Sequence, residues 1–264
     1  GTIFLATHGT SVLRSTDGGN NWLNIGPTFA DINDLDLDDS TDDVYAADLG
    51  RVIVYSGGVW TEVGAGTNPF AGGQVLAVMY DDASGAVFAS VAGAGVFRYG
   101  AGIWTAVNGG LPIGKVNTLF RGPSGQLLAG SNSDGVYVFG GMSWVQFGTG
   151  LDDEPIESLG SGPNGELLAG ARESGAYYYN FITDQWLSIG NLPIFTVDSI
   201  TAGKFGEVYA GAPGEGIYAI YDTDYDGLPD QSHQVANVLT HAVIQGLVVA
   251  PNGDMWAATY GYGI

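Results

Sequence analysis

From Val116 to Trp144 the chain reads VNTLFRGPSGQLLAGSNSDGVYVFGGMSW, in which short apolar runs alternate with clusters of Gly, Pro, Ser, Asn and Asp. The runs Val116–Phe120, Gln126–Gly130, Gly135–Phe139 and Ser143–Phe147 are of strand length and rich in Val, Leu, Tyr, Phe and Trp. The clusters between them have the backbone freedom and side-chain caps of tight turns. This pattern predicts a four-stranded antiparallel meander. The second run of each such unit lacks a clean apolar–polar alternation, as in Val208-Tyr209-Ala210-Gly211. A strand apolar on both sides is covered on both faces, so the meander must be stacked between others, with Ala and Gly allowing close approach.

Repetition supplies the neighbours. The small residue of the second run recurs at Ala6, Ala46, Ala89, Ala129, Ala169, Ala210 and Ala257, and the Trp of the fourth at Trp22, Trp60, Trp104, Trp144 and Trp186. Both landmarks keep a period of about 40 residues, the length of one four-stranded propeller blade. The expected fold is all-β: a single propeller domain over 1–264 with four-stranded antiparallel blades, seven by this count and six as the alternative. The chain opens on a second strand, Thr2–Thr7, and closes on another, Asp254–Tyr260, with Tyr262–Ile264 entering a third. The terminal blades are therefore expected to be incomplete, with further sequence or a neighbouring chain completing them. In the six-bladed alternative, Ala242–Ala250 would complete the first blade beside Thr2–Thr7.

Composition narrows the function. Seven Lys and Arg against 28 Asp and Glu give a net charge of −21, which excludes nucleic acid as a partner and disfavours anionic membranes. No apolar stretch is long enough to span a bilayer, so no membrane insertion is expected. Cysteine is absent, which removes disulfides, thiolate catalysis and thiolate metal sites.

Two stretches resemble known repeats. Ser15-Thr16-Asp17-Gly18-Gly19-Asn20-Asn21-Trp22 resembles the Asp-box of sialidase-like propellers, SxDxGxTW, with Asn21 in place of Thr. The stretch Leu247–Thr259, which contains Asp254-Met255-Trp256-Ala257-Ala258-Thr259, is similar to the repeats of two-component-regulator propellers. Both resemblances imply the fold more strongly than any activity. The acidic run Asp31–Asp43 reads as hairpin turns on a solvated face, with Asp38–Asp43 forming the turn.

One segment carries metal chemistry. Asp222-Thr223-Asp224-Tyr225-Asp226-Gly227-Leu228-Pro229-Asp230 places carboxylates at positions 1, 3, 5 and 9, and Gly at 6. A curled backbone then directs alternate oxygens at one hard cation. The expected ligands of Ca2+ are Asp222, Asp224, Asp226 and Asp230, with the backbone carbonyl of Leu228. His233 stands where an EF-hand has its bidentate Glu; the loop resembles those of thrombospondin type 3 repeats. It replaces the turn between a third strand, Gly216–Tyr221, and a fourth expected near Val235–Leu239. The ion is expected to act there as a structural clip rather than a catalyst. Acidity, the lack of cysteine and this loop together point to an extracellular or cell-surface protein of a prokaryote, with the periplasm as the alternative.

The opposite face is built from turns after the second and fourth strands. Its polar residues, His8, Asp48, Asp134, Arg172, Glu173, Glu215 and Tyr260, are the candidate ligand contacts for a carbohydrate or a protein, and a longer turn adds Asp152, Asp153 and Glu154. Five Arg and no FRIP-type motif argue against a sialidase. His8, His233 and His241 have no metal-ligand spacing, and no GxSxG motif occurs. The reading favoured is a non-catalytic extracellular binding or structural module. A carbohydrate-active enzyme related to propeller glycosidases is one alternative, and the periplasmic sensor of a two-component regulator is another.

Overall fold

The computed structural model describes residues 2–7, 11–27, 31–38, 40–70, 72–112, 114, 116–189, 192–194, 196–221, 231–236, 239, 242–250 and 252–260. Its strands follow one another as antiparallel meanders. The first sheet has three strands, β1 (Ile3–Thr7), β2 (Ser11–Ser15) and β3 (Leu23–Gly26). The second contains β4 (Asp34–Asp38), β5 (Asp43–Asp48), β6 (Arg51–Ser56) and β7 (Val59–Glu62). The third contains β8 (Val75–Asp81), β9 (Ala86–Val91), β10 (Gly95–Gly100) and β11 (Ile103–Ala106). The fourth, where the repeat was read, contains β12 (Val116–Arg121), β13 (Leu127–Ser131), β14 (Val136–Phe139) and β15 (Trp144–Gln146). The fifth contains β16 (Ile156–Ser161), β17 (Leu167–Ala171), β18 (Gly175–Asn180) and β19 (Gln185–Ser188). The sixth contains β20 (Ser199–Ala202), β21 (Val208–Ala212), β22 (Gly216–Tyr221) and β23 (Gln231–Ala236). A final pair joins β24 (Val243–Val249) to β25 (Met255–Tyr260).

Six sheets thus have three or four strands, and the seventh element is a two-stranded hairpin. The expectation of four-stranded antiparallel blades is met, and the described residues form six blades rather than the seven favoured from the sequence. One boundary moves. The fourth strand of the sixth sheet was expected near Val235–Leu239 but runs Gln231–Ala236, in register from Tyr221↔Gln231. Its sequence, QSHQVA, has no Trp and little apolar character to mark it.

The chain divides into two compact units, Gly1–Arg121 with Phe139–Val145 and Gly122–Val138 with Gln146–Ile264. In the first, Ala47, Val78, Ala89, Phe97 and Trp104 belong to one buried cluster. In the second, Leu168, Ala176, Val197, Ala210 and Ile220 do the same. The second strands β9, β13 and β17 are buried along their whole length, as their unbroken apolar character requires. Small residues set the spacing between sheets. A Cβ on Gly170 would lie 2.5 Å from the Val197 carbonyl oxygen, and one on Gly160 would lie 2.8 Å from that of Ile200.

The recurrent Trp acts as a latch. The indole N–H of Trp60 donates to the Ile25 carbonyl at 2.8 Å, that of Trp104 to Val63 at 3.0 Å, that of Trp144 to Val107 at 2.7 Å, and that of Trp186 to Phe147 at 2.7 Å. Each Trp belongs to an outermost strand and reaches the outermost strand of the preceding sheet, at Ile25 within β3, or the residue just after it, at Val63, Val107 and Phe147. A buried indole needs such an acceptor, so one residue type serves both for volume and for joining sheets.

The turns between first and second strands repeat as well. The Glu166 carboxylate accepts the Asn164 amide at 2.9 Å, and the Glu207 carboxylate accepts the Phe205 amide at 2.9 Å. Gln126 accepts the Ser124 amide at 3.1 Å in the same place. These acids are consumed by turn closure.

Candidate functional site

The segment 222–230, with the expected calcium ligands Asp222, Asp224, Asp226, Leu228 and Asp230, lies outside the described residues. Its neck does not. Tyr221 and Gln231 are register partners on β22 and β23, and Tyr221 stacks on His233 with centroids 5.1 Å apart and planes at 9°. The nine-residue segment is therefore closed at its base by paired strands.

The turn after β2 is fastened at its Asp. Asp17 accepts the Asn21 amide at 2.9 Å, the Asn21 side-chain N–H at 2.6 Å and the Ser15 hydroxyl at 2.9 Å. These bonds, with the Asn21 side chain first, hold its carboxyl below the ordinary value. Asp17 itself is exposed, so these are surface bonds.

The expected ligand contacts have different surroundings. His8 lies outside the described residues, as does His241. Asp48 is buried, accepts the Leu49 amide at 2.8 Å and pairs with Arg51 at 2.7 Å; it fastens the β5–β6 turn. Asp134 is half-buried in the β13–β14 turn, and its amide donates to the Ser131 hydroxyl at 3.2 Å. Glu173 and Glu215 are exposed, and the Glu215 carbonyl accepts from Gln234 at 2.6 Å. Tyr260 ends β25 and is exposed. Asp152 accepts from Gln146 at 2.9 Å.

Arg172 lies at the centre of a cluster in the second unit. It pairs with Glu157 on β16, and the same terminal nitrogen, Nη2, donates to Asn132 Oδ1 at 3.2 Å. Main-chain bonds hold this corner. The Arg172 amide donates to Pro155 at 2.9 Å, the Val197 amide donates to Ala171 at 2.9 Å, and the Thr196 hydroxyl donates to the Arg172 carbonyl. The turn after β17 is thereby tied to the segments entering β16 and β20, which is the face the sequence selects. Asp198, next to Val197, is half-buried. Burial first and the nearby Glu157 second push its carboxyl up to about 6, with Arg172 opposing them. Among the described residues no hydrogen-bond donor reaches that carboxyl.

A second acidic arrangement lies in the first unit. β8 is the edge strand of the third sheet, and two of its amides are met by side chains of β4: Val78 donates to Asp34 Oδ2 at 3.0 Å and Tyr80 to Asp36 Oδ2 at 2.5 Å. Asp34 Oδ1 also accepts the Leu35 amide at 2.9 Å. Burial outweighs these bonds and, aided by Asp36, raises the Asp34 carboxyl to about 7. Among the described residues no three or more His, Asp and Glu converge as a metal site.

No family model matches the sequence, and no curated protein does. Solved structures do. A streptogramin B lyase structure matches at a TM-score of 0.77 and 16% identity, over 98% of this chain and 87% of that one. The WD40 β-propeller domain of Doa1 matches at 0.71 and 14%, over 97% and 85%. Virginiamycin B lyase from Staphylococcus aureus matches at 0.68 and 13%, over 86% and 76%. The fold is a β-propeller.

Of the seven contacts named from the sequence, Arg172 is the one that pairs with both Glu157 and Asn132. Glu157, Asp198 and the β4 pair were missed by the sequence reading, although a signal existed. Glu157, Asp198 and Asp34 each stand twelve residues ahead of a second-strand alanine, at Ala169, Ala210 and Ala46. The same offset gives Ala77, Asn117 and Gln245, so the position is mostly polar but has no fixed residue type.

Proposed function

We propose that this propeller is a non-catalytic binding or structural module of a prokaryotic secreted or cell-surface protein, fastened by calcium, with a carbohydrate or protein ligand on the face that carries Arg172. The observation behind this reading is the cluster itself. A half-exposed Arg, with 46% of its side chain accessible, is held by main-chain bonds beside Glu157 and a donor-free Asp198. Such convergence of few polar groups on a fixed backbone is what a recognition site needs. The same reading takes the Ser15–Trp22 turn as an Asp-box. Retention on immobilised neutral polysaccharides and extracellular-matrix proteins, compared between the wild type and an Arg172→Ala/Asp198→Ala double variant, tests it. At least a tenfold loss of retention in the variant is expected, with no turnover of the retained polymer. Robust turnover or undiminished retention by the variant overturns it, the former in favour of a carbohydrate-active enzyme.

The calcium clip has its own test. Titration of the chelated protein is expected to show one site with Kd roughly 10⁻⁶–10⁻³ M. Asp224→Ala removes a carboxylate from the middle of the loop and is expected to abolish the heat and the calcium-dependent rise in Tm. An unchanged isotherm rules the site out.

A further inference from the structure

Resting on the reading of the Arg172 face as the ligand face, we propose that the Glu157–Arg172–Asp198 cluster binds adjacent hydroxyls of a neutral sugar ring rather than a charged ligand. The unused hydrogen-bonding groups carry the argument. Both Glu157 and Asn132 are met by Nη2 of Arg172. Among the described residues its Nε and Nη1 have no acceptor, so part of the five-donor fork faces outward. Asp198 is the converse, an acceptor without a donor. A hydroxyl both donates and accepts, so two on neighbouring ring carbons satisfy Arg172 with one oxygen and Asp198 with the other proton. An anion fits worse, because it would approach two carboxylates on a protein of net charge −21. A cation would face the guanidinium of Arg172, which stays charged at all working pH values. Gln245, exposed at the equivalent position of β24, provides a further neutral group along the same row.

The test is a ligand-observed NMR titration of the full chain with the methyl glycosides of mannose, galactose, glucose and N-acetylglucosamine. Deoxy analogues, glucosamine and glucuronate form the comparison arms. At least one neutral glycoside is expected to saturate, with a loss of about tenfold or more when one of its paired hydroxyls is removed, because a site built to bond a hydroxyl rejects the analogue without it. Arg172→Gln is expected to weaken that glycoside about tenfold. Asp198→Asn keeps an acceptor oxygen and is expected to change it less than about threefold, with melting curves establishing that both variants fold. Tighter binding of glucosamine or glucuronate, full affinity in Arg172→Gln, or failure of every neutral glycoside to saturate overturns the proposal. If these arms fail while retention on a polymer or protein still depends on Arg172 and Asp198, the ligand class is wrong and the binding module stands. If retention fails as well, the module reading falls with it.

Discussion

Trp144→Ala is expected to lower the unfolding free energy by about 3–5 kcal/mol, the range for emptying a buried Trp site. Trp144 is 2% exposed, and three contacts fix it. Its indole N–H meets Val107, its own amide donates to the Gly109 carbonyl at 2.7 Å, and its ring lies 5.0 Å from that of Phe139. Trp144→Phe separates volume from latch: it keeps most of the apolar surface but leaves the Val107 carbonyl without its donor, and about 1–3 kcal/mol is expected. Val145→Ala next door, on a side chain 61% exposed, should cost under about 0.5 kcal/mol. The latch can also be blocked from the other partner. Gly110 has φ +89°, and a Cβ there would lie 2.0 Å from the Trp144 carbonyl oxygen, so Gly110→Ala belongs with the large effects. Urea denaturation followed by Trp fluorescence ranks all four variants. A Trp144→Ala cost near that of Val145→Ala would remove the latch from the account of stability.

The second large effect concerns pH. A carboxyl whose folded pKa is raised is more readily protonated in the native state. The unfolded state therefore binds fewer protons than the native one between the two values, and stability falls as pH rises. For Asp34 that window runs from the ordinary 3.8 to about 7, and the full displacement corresponds to about 4 kcal/mol. Asp34→Asn imitates the protonated acid, since one oxygen still accepts an amide and the other position can no longer ionise. Below pH 4 the variant is expected to match the wild type to within about 1 kcal/mol, the worth of one altered hydrogen bond. By pH 8 the wild type should have lost about 2–4 kcal/mol relative to it. Asp198 adds a smaller loss of the same sign up to about 6. Denaturation midpoints at intervals from pH 4 to 8 give the difference curve. A flat curve would mean that Asp34 ionises as freely in the fold as outside it.

How far the sequence could be read follows from which residues touch a neighbouring sheet. Ala46, Ala89, Ala129, Ala169 and Ala210 are fully buried, and Trp60, Trp104, Trp144 and Trp186 carry the latches. Few residue types satisfy either position, so both kept a visible period and with it the fold. The acidic run of β4 misled for a related reason. Asp is uncommon inside strands, and Asp34-Leu35-Asp36-Leu37-Asp38 read as part of a solvated turn. On an inner edge strand, however, the neighbouring sheet presents amides such as those of Val78 and Tyr80, and a carboxylate is one of several groups able to meet them. Asp38 does begin the turn, accepting the Ser40 amide at 2.9 Å. The position holding Glu157 and Asp198 was hidden similarly: polar is required there, yet Asp, Glu, Asn and Gln all serve. Arg172 was legible only as one of seven polar residues in the turns of one face.

The indole latches also have a direction. In all four the acceptor carbonyl comes earlier in the chain than the donor, by 35, 41, 37 and 39 residues. A ribosome extrudes the chain from its N-terminus, so each outer strand leaves the exit tunnel after the carbonyl it must find. Nascent sheets can dock one behind another, each on a completed predecessor, and the early portion need not wait for the late one. The same asymmetry makes a truncation from the C-terminal side remove donors and leave intact the latches already made, whereas one from the N-terminal side leaves an indole with nothing to hold.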